Sequence, residues 1–77
     1  MALDENRFRA VVIEALQIKP EKYQTNLRIG DIEEWDSVAH LDLISAIEIA
    51  FNLHLSSDEI VELTGLEEIR ARLQRTR

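Results

Sequence analysis

Residues Glu34 to Phe51 read EWDSVAHLDLISAIEIAF, and the fold turns on how that run is divided. Val38, Leu41, Leu43 or Ile44, Ile47 and Phe51 follow one another at helical spacing, which predicts a helix of about four turns with one apolar side. Ser37 stands where that helix begins. The first N–H groups of a helix lack partners inside it, and the aligned peptide dipoles leave partial positive charge there. A phosphate attached at Ser37 is therefore favourably placed. Serine at such a position is also an ordinary helix cap, so the position alone does not decide its role.

Upstream, Phe8, Val11, Val12, Ala15 and Leu16 predict a first helix from Asp4 or Glu5 to Ile18, capped by Asp4 or Asn6 and stopped by Pro20. Arg7, Arg9 and Glu14 fall on its wet side. Lys19 to Trp35 is a long connection, in which Leu27, Ile29, Ile32 and Trp35 recur as anchors and Gly30 permits a turn at positive φ. Its acids, Asp31, Glu33, Glu34 and Asp36, are out of register for a calcium loop. Downstream, Ser56 with Glu59 makes a capping box and Leu55 with Ile60 has the spacing of a hydrophobic staple. Thr64 with Glu67 makes a second box, so a short third helix ends near Leu63 and a fourth runs from about Gly65 to Gln74. Ile60, Val61 and Leu63 are its neighbour's core candidates, and Leu66, Ile69 and Leu73 its own. Arg70, Arg72, Arg75 and Arg77 gather at the C-terminal end, where cations complement the helix dipole. The expected fold is all-α: a small antiparallel bundle of three longer helices plus one short helix, with a long first loop, in one domain over residues 1–77.

Composition narrows the function. Seventy-seven residues allow one thin core and a shallow cleft, and two glycines, one proline and 45% apolar residues fit a helical chain. With no cysteine, disulfides, thiolate metal sites and thiol chemistry by the polypeptide are excluded. No run is long and apolar enough to span a bilayer or to serve as a signal peptide, which makes a cytoplasmic location the expectation. The net charge of −6 is uneven: no Lys or Arg occurs from Ile29 to Ile69, where eleven acids fall. Such a middle repels nucleic acid and anionic lipid and attracts basic protein surfaces. Ser37 lacks the glycines of a hydrolase elbow, with Trp35 and Ala39 in their places. His40 and His54 fit no zinc spacing, and no metal site is expected.

At Asp36-Ser37-Val38 the chain resembles the acyl carrier protein family, whose signature is Asp-Ser-Leu at the start of a second helix. The likeness continues through Asp42-Leu43-Ile44, Ile47, Glu48, Phe51, Leu53 and Leu55 to Thr64, and covers roughly Phe8 to Leu73. It implies a freestanding carrier and not an enzyme, a monomer whose Ser37 is esterified by 4′-phosphopantetheine and holds acyl groups as thioesters. Asp36 and Val38 flank the attachment, and His40, one turn on, is a candidate phosphate contact. Implied partners are a phosphopantetheinyl transferase and acyl-loading and acyl-transferring enzymes with basic surfaces. Asp36, Asp42, Glu48 and Ile49 are the candidate docking residues. Leu43, Ile47 and Val61 are candidates for a cleft that shelters the acyl chain.

The chain also departs from the family. Ala39, Ile49 and Ala50 stand where carriers of fatty acid synthesis usually have acids, which leans towards a specialised lipid or polyketide-type pathway over bulk fatty acid biosynthesis. Gly65 replaces a usual valine and suggests looser packing. The absence of Gly-Gly-x-Ser disfavours peptidyl carriers. A second reading stays open: an unmodified, small, acidic helical module for protein–protein interaction.

Overall fold

The computed structural model describes residues 3–75. Four α-helices are present among them: α1 (Glu5–Leu16), α2 (Ser37–Phe51), α3 (Ser57–Glu62) and α4 (Leu66–Arg75), with a single 3-10 turn at Pro20–Lys22. The radius of gyration, 11.4 Å, matches the roughly 11 Å expected of a compact domain this long. The chain is thus small, mostly helical and compact. Of the C-terminal arginines, Arg77 lies outside the described residues.

Asp4 caps α1 by accepting from Arg7 N–H at 3.1 Å, and Phe8, Val12 and Leu16 form its buried stripe. The helix ends two residues earlier than its periodicity suggests, and Pro20 is not what stops it. Gln17 takes a left-handed conformation, φ 55°, while Ile18 N–H reaches back to the Ile13 carbonyl and Gln17 N–H to that of Glu14. This paired closure satisfies the last carbonyls and turns Ile18 into the core. Pro20 instead opens the 3-10 turn, where its missing N–H costs nothing.

The long connection is a strap pinned at both edges. Leu27 and Trp35 are buried and Ile29 and Ile32 half-buried, as their recurrence suggests, and Gly30 does adopt a positive φ, 91°. Arg28 forms a short antiparallel bridge with Gly65. Ile29 N–H donates to the Thr64 carbonyl and Leu66 N–H to the Leu27 carbonyl, each at 2.8 Å. The first N–H of α4 is therefore satisfied by the strap. The expected Thr64–Glu67 box does not form; the Thr64 hydroxyl accepts from Arg28 Nη2 at 2.9 Å. Packing at Gly65 is also close, not loose. A Cβ there would stand 2.4 Å from Glu68 Oε1 and 2.9 Å from Arg28 Nη1.

α1 and α2 form the principal helix pair. On α2 the buried residues are His40, Leu43, Ile44 and Ile47, with Phe51 half-buried against Phe8. The stripe read from the sequence needs correcting at its start, because Val38 is 71% and Leu41 58% exposed. α2 is apolar on nearly every side, so more than one stripe fits its sequence. His40 decides between them, turning inward to partners described below.

The Ser56–Glu59 box at α3 forms in both directions. Ile60 is half-buried and Leu63 buried, but Val61 points outward at 74% exposure. On α4, Leu66, Ile69 and Leu73 are buried as expected. Two of its arginines clamp helices together instead of merely balancing a dipole: Arg70 pairs with Glu5 at 3.1 Å and lies over the Phe8 ring, and Arg72 pairs with Glu59.

Candidate attachment site at the start of α2

The start of α2 divides two tasks between two adjacent residues. Asp36, in extended backbone conformation, is the cap: its Oδ1 accepts from Ala39 N–H at 2.8 Å, and its carbonyl accepts from His40 N–H at 2.8 Å. Ser37 is the first helical residue. Its side chain is exposed and makes no hydrogen bond to the rest of the described chain. With Ala39 and His40 satisfied, the N–H groups of Ser37 and Val38 are the ones left facing out of the helix end. A hydroxyl free of capping duty thus sits at the positive end of a 15-residue helix.

His40 does not join this site. Its ring is 6% exposed and stacks beside Trp35, whose indole Nε1–H donates to His40 Nδ1 at 3.1 Å. His40 Nε2 lies 3.0 Å from the Ile60 carbonyl. Because Nδ1 accepts, the neutral imidazole must carry its proton on Nε2 and donate it to Ile60. Both nitrogens are committed, so in this orientation His40 is not available for the phosphate contact for which it is a candidate. What the ring does instead is join the strap, α2 and α3 at one buried point.

Two hollows flank the serine. One, of about 480 Å³, is bounded by Ile29, Gly30, Ile32, Glu33, Trp35, Asp36 and Ser37. The other, about 370 Å³, lies between the end of α1 and the start of α2 and is edged by Glu33, Glu34, Asp36 and Asp42. Glu34 is held below the usual carboxylate range by its hydrogen bonds with Lys22, at 2.7 and 2.9 Å. Among the described residues, no group of three or more His, Cys, Asp or Glu is gathered closely enough to hold a metal ion.

The other site candidates separate. Asp42 is exposed and Ile49 is 82% exposed, so both are available to a partner. Glu48 is not held out in the same way: its Oε2 accepts from Leu55 N–H at 2.8 Å and stands 3.7 Å from His54, bracing the α2–α3 link. Leu43 and Ile47 are fully buried, whereas Val61 faces outward, so these three do not line a common cleft. Val38 and Leu41, which the helical spacing places on the apolar side, are exposed. On a helical wheel Val38, Asp42, Ser45 and Ile49 fall within a narrow arc across from Leu43 and Ile47, and Leu41 lies outside that arc, beside Ser45.

Charge pairs brace the far side. Arg28 and Glu68 pair at 2.6 Å, which raises the guanidinium and lowers the carboxyl. The Glu59 carboxyl is lowered to about 2, chiefly by Arg72 and then by the Ser56 N–H. No helix among the described residues is long and apolar enough to cross a membrane. In comparisons with known proteins, no family model matches this chain and no curated protein matches it.

Proposed function

We propose that the chain is an acyl carrier domain with an acyl-carrier-like antiparallel bundle, in which Ser37 bears 4′-phosphopantetheine. The observation that carries this reading is the division of labour at the start of α2: Asp36 caps, and the adjacent Ser37 hydroxyl is exposed and unbonded. The residues present fit the group. The N–H groups of Ser37 and Val38 and the α2 dipole favour an anion on the serine oxygen.

When attached, the arm supplies a terminal thiol, which a chain without cysteine lacks. The chain's own part is to present, not to catalyse. His40, bonded on both nitrogens, is not available to take the Ser37 proton. In this reading a partner enzyme activates Ser37. In that transfer its oxygen forms a bond to the phosphorus of coenzyme A nearest the pantetheine. The bond from that phosphorus to the adenosine bisphosphate breaks, and the serine proton passes to the partner's base.

Val38, Leu41, Asp42 and Ile49, exposed on α2, with Val61 on α3, give the docking surface its character: apolar side chains with an acidic element. It suits partners that meet it with apolar contacts inside a basic rim, and this mixture supports a specialised lipid or polyketide-type pathway over bulk fatty acid synthesis.

The test is intact mass before and after incubation with coenzyme A and a broad-specificity phosphopantetheinyl transferase, with a known carrier alongside. One added phosphopantetheine, absent in Ser37→Ala, is expected. A folded sample of unchanged mass beside a modified control favours the unmodified interaction module instead.

A further inference from the structure

The hollow of about 480 Å³ beside Ser37 is not explained by attachment chemistry alone. It is a shallow depression open to solvent, with room for part of an extended arm. Its apolar lining comes from Ile29, Ile32 and Trp35, all belonging to the strap, and Ser37 is itself part of the wall. Gly30 keeps it open: at φ +91° the backbone bends away, and nothing lies within 4 Å of where a Cβ would stand. The bond from Gly30 N–H to the Trp35 carbonyl and that from Arg28 N–H to Asp31 Oδ2, each 2.9 Å, hold that bend.

Leu43 and Ile47 are fully buried, and the His40 bridge from Trp35 to the Ile60 carbonyl ties α3 against α2. A chain entering between the two helices has to break that buried bridge. A chain lying over the strap breaks nothing.

We propose, resting on the carrier reading, that the strap-side hollow seats the apolar, uncharged part of the group on Ser37, beginning with the two methyls next to its phosphate. Ile29 and Ile32 supply the apolar contact, and the edge of Trp35 closes the floor. Glu33 and Asp36 stand at the rim.

The experiment uses the whole chain, isotope-labelled, with the arm transferred from coenzyme A and its attachment verified by mass. The expected result is nuclear Overhauser contacts from the arm's paired methyls to Ile29 and Ile32, with a shift of the Trp35 indole proton. Ile32→Ala should weaken those contacts while the added mass at Ser37 persists. Contacts to Leu41 or Val61 instead, or shifts confined to Ser37 and Val38, overturn the assignment and leave the carrier reading standing. Failure of the mass to increase overturns the carrier reading, and the seat with it.

Discussion

Three serines stand at helix starts in this chain, and two of them, Ser37 and Ser56, have opposite fates. Ser56 is the cap of α3: its hydroxyl accepts from Glu59 N–H at 3.2 Å, and Glu59 Oε1 accepts from Ser56 N–H at 3.1 Å. Ser37 lies one position further into its helix, after Asp36 has taken the cap. That shift of one residue separates a capping hydroxyl from an uncommitted one, and Ser57, next after its own cap, is likewise exposed and unbonded. Hydrogen bonding, not exposure, distinguishes Ser37 from Ser56, and the 15-residue helix behind it, against six residues in α3, distinguishes Ser37 from Ser57.

The sharpest way to break this comparison is to exchange the roles by mutation. Ser37→Ala is expected to abolish phosphopantetheine addition completely while changing stability by no more than about 0.5 kcal/mol, as for a surface change that breaks no bond. Ser56→Ala should do the reverse, costing about 0.5–2 kcal/mol as a lost cap and leaving the modification intact. Urea unfolding and intact mass read the two effects separately. A large stability loss in Ser37→Ala would mean that this hydroxyl is structural after all.

His40 supplies the next largest effect. In His40→Leu, the Trp35 indole N–H and the Ile60 carbonyl lose their partner, at about 1–3 kcal/mol for each buried group left unsatisfied. Modification of Ser37 should survive wherever the variant remains folded. If the protein stays stable but takes up the arm poorly, His40 acts on the attachment reaction in a way its buried orientation does not suggest. Asp36→Ala is expected to be smaller, about 0.5–2 kcal/mol, with Asp36→Asn recovering most of it because an amide oxygen still accepts from Ala39.

Local chemistry made part of this legible in the sequence. The beginning of α2 and the box on α3 depend on residues within three positions of one another, and both are where their patterns place them. The anchors Leu27 and Trp35 were legible too, because large apolar residues in an otherwise polar connection have few places to go. What escaped depends on distant partners. His40 reads as a candidate phosphate contact until Ile60, twenty positions on, meets its ring. Thr64 reads as a cap until Arg28, thirty-six positions back, takes its hydroxyl. Val38 and Leu41 were misassigned for a related reason: on a helix rich in aliphatic residues, the buried side is chosen by its neighbours.

The smallest expected effect returns to Ser56 and its box. Glu59 serves two masters there, accepting from Ser56 N–H through Oε1 and from Arg72 through Oε2. Together they hold its carboxyl down at about 2, against an ordinary 4.5. A carboxyl lowered on folding contributes stability that is fully present above its unfolded value and is lost as the pH falls through its folded one. The window is therefore about pH 4.5 down to about 2. Arg72→Ala removes the larger of the two influences, so Glu59 should titrate closer to 4.5, and the acid-linked loss of stability should be smaller and complete at a higher pH. Carbon-detected NMR titration of the Glu59 carboxyl reads this directly. Should the midpoint stay near 2 in Arg72→Ala, the Ser56 N–H would be the dominant influence, and the serine of α3 would be even more fully absorbed by structure than its geometry implies.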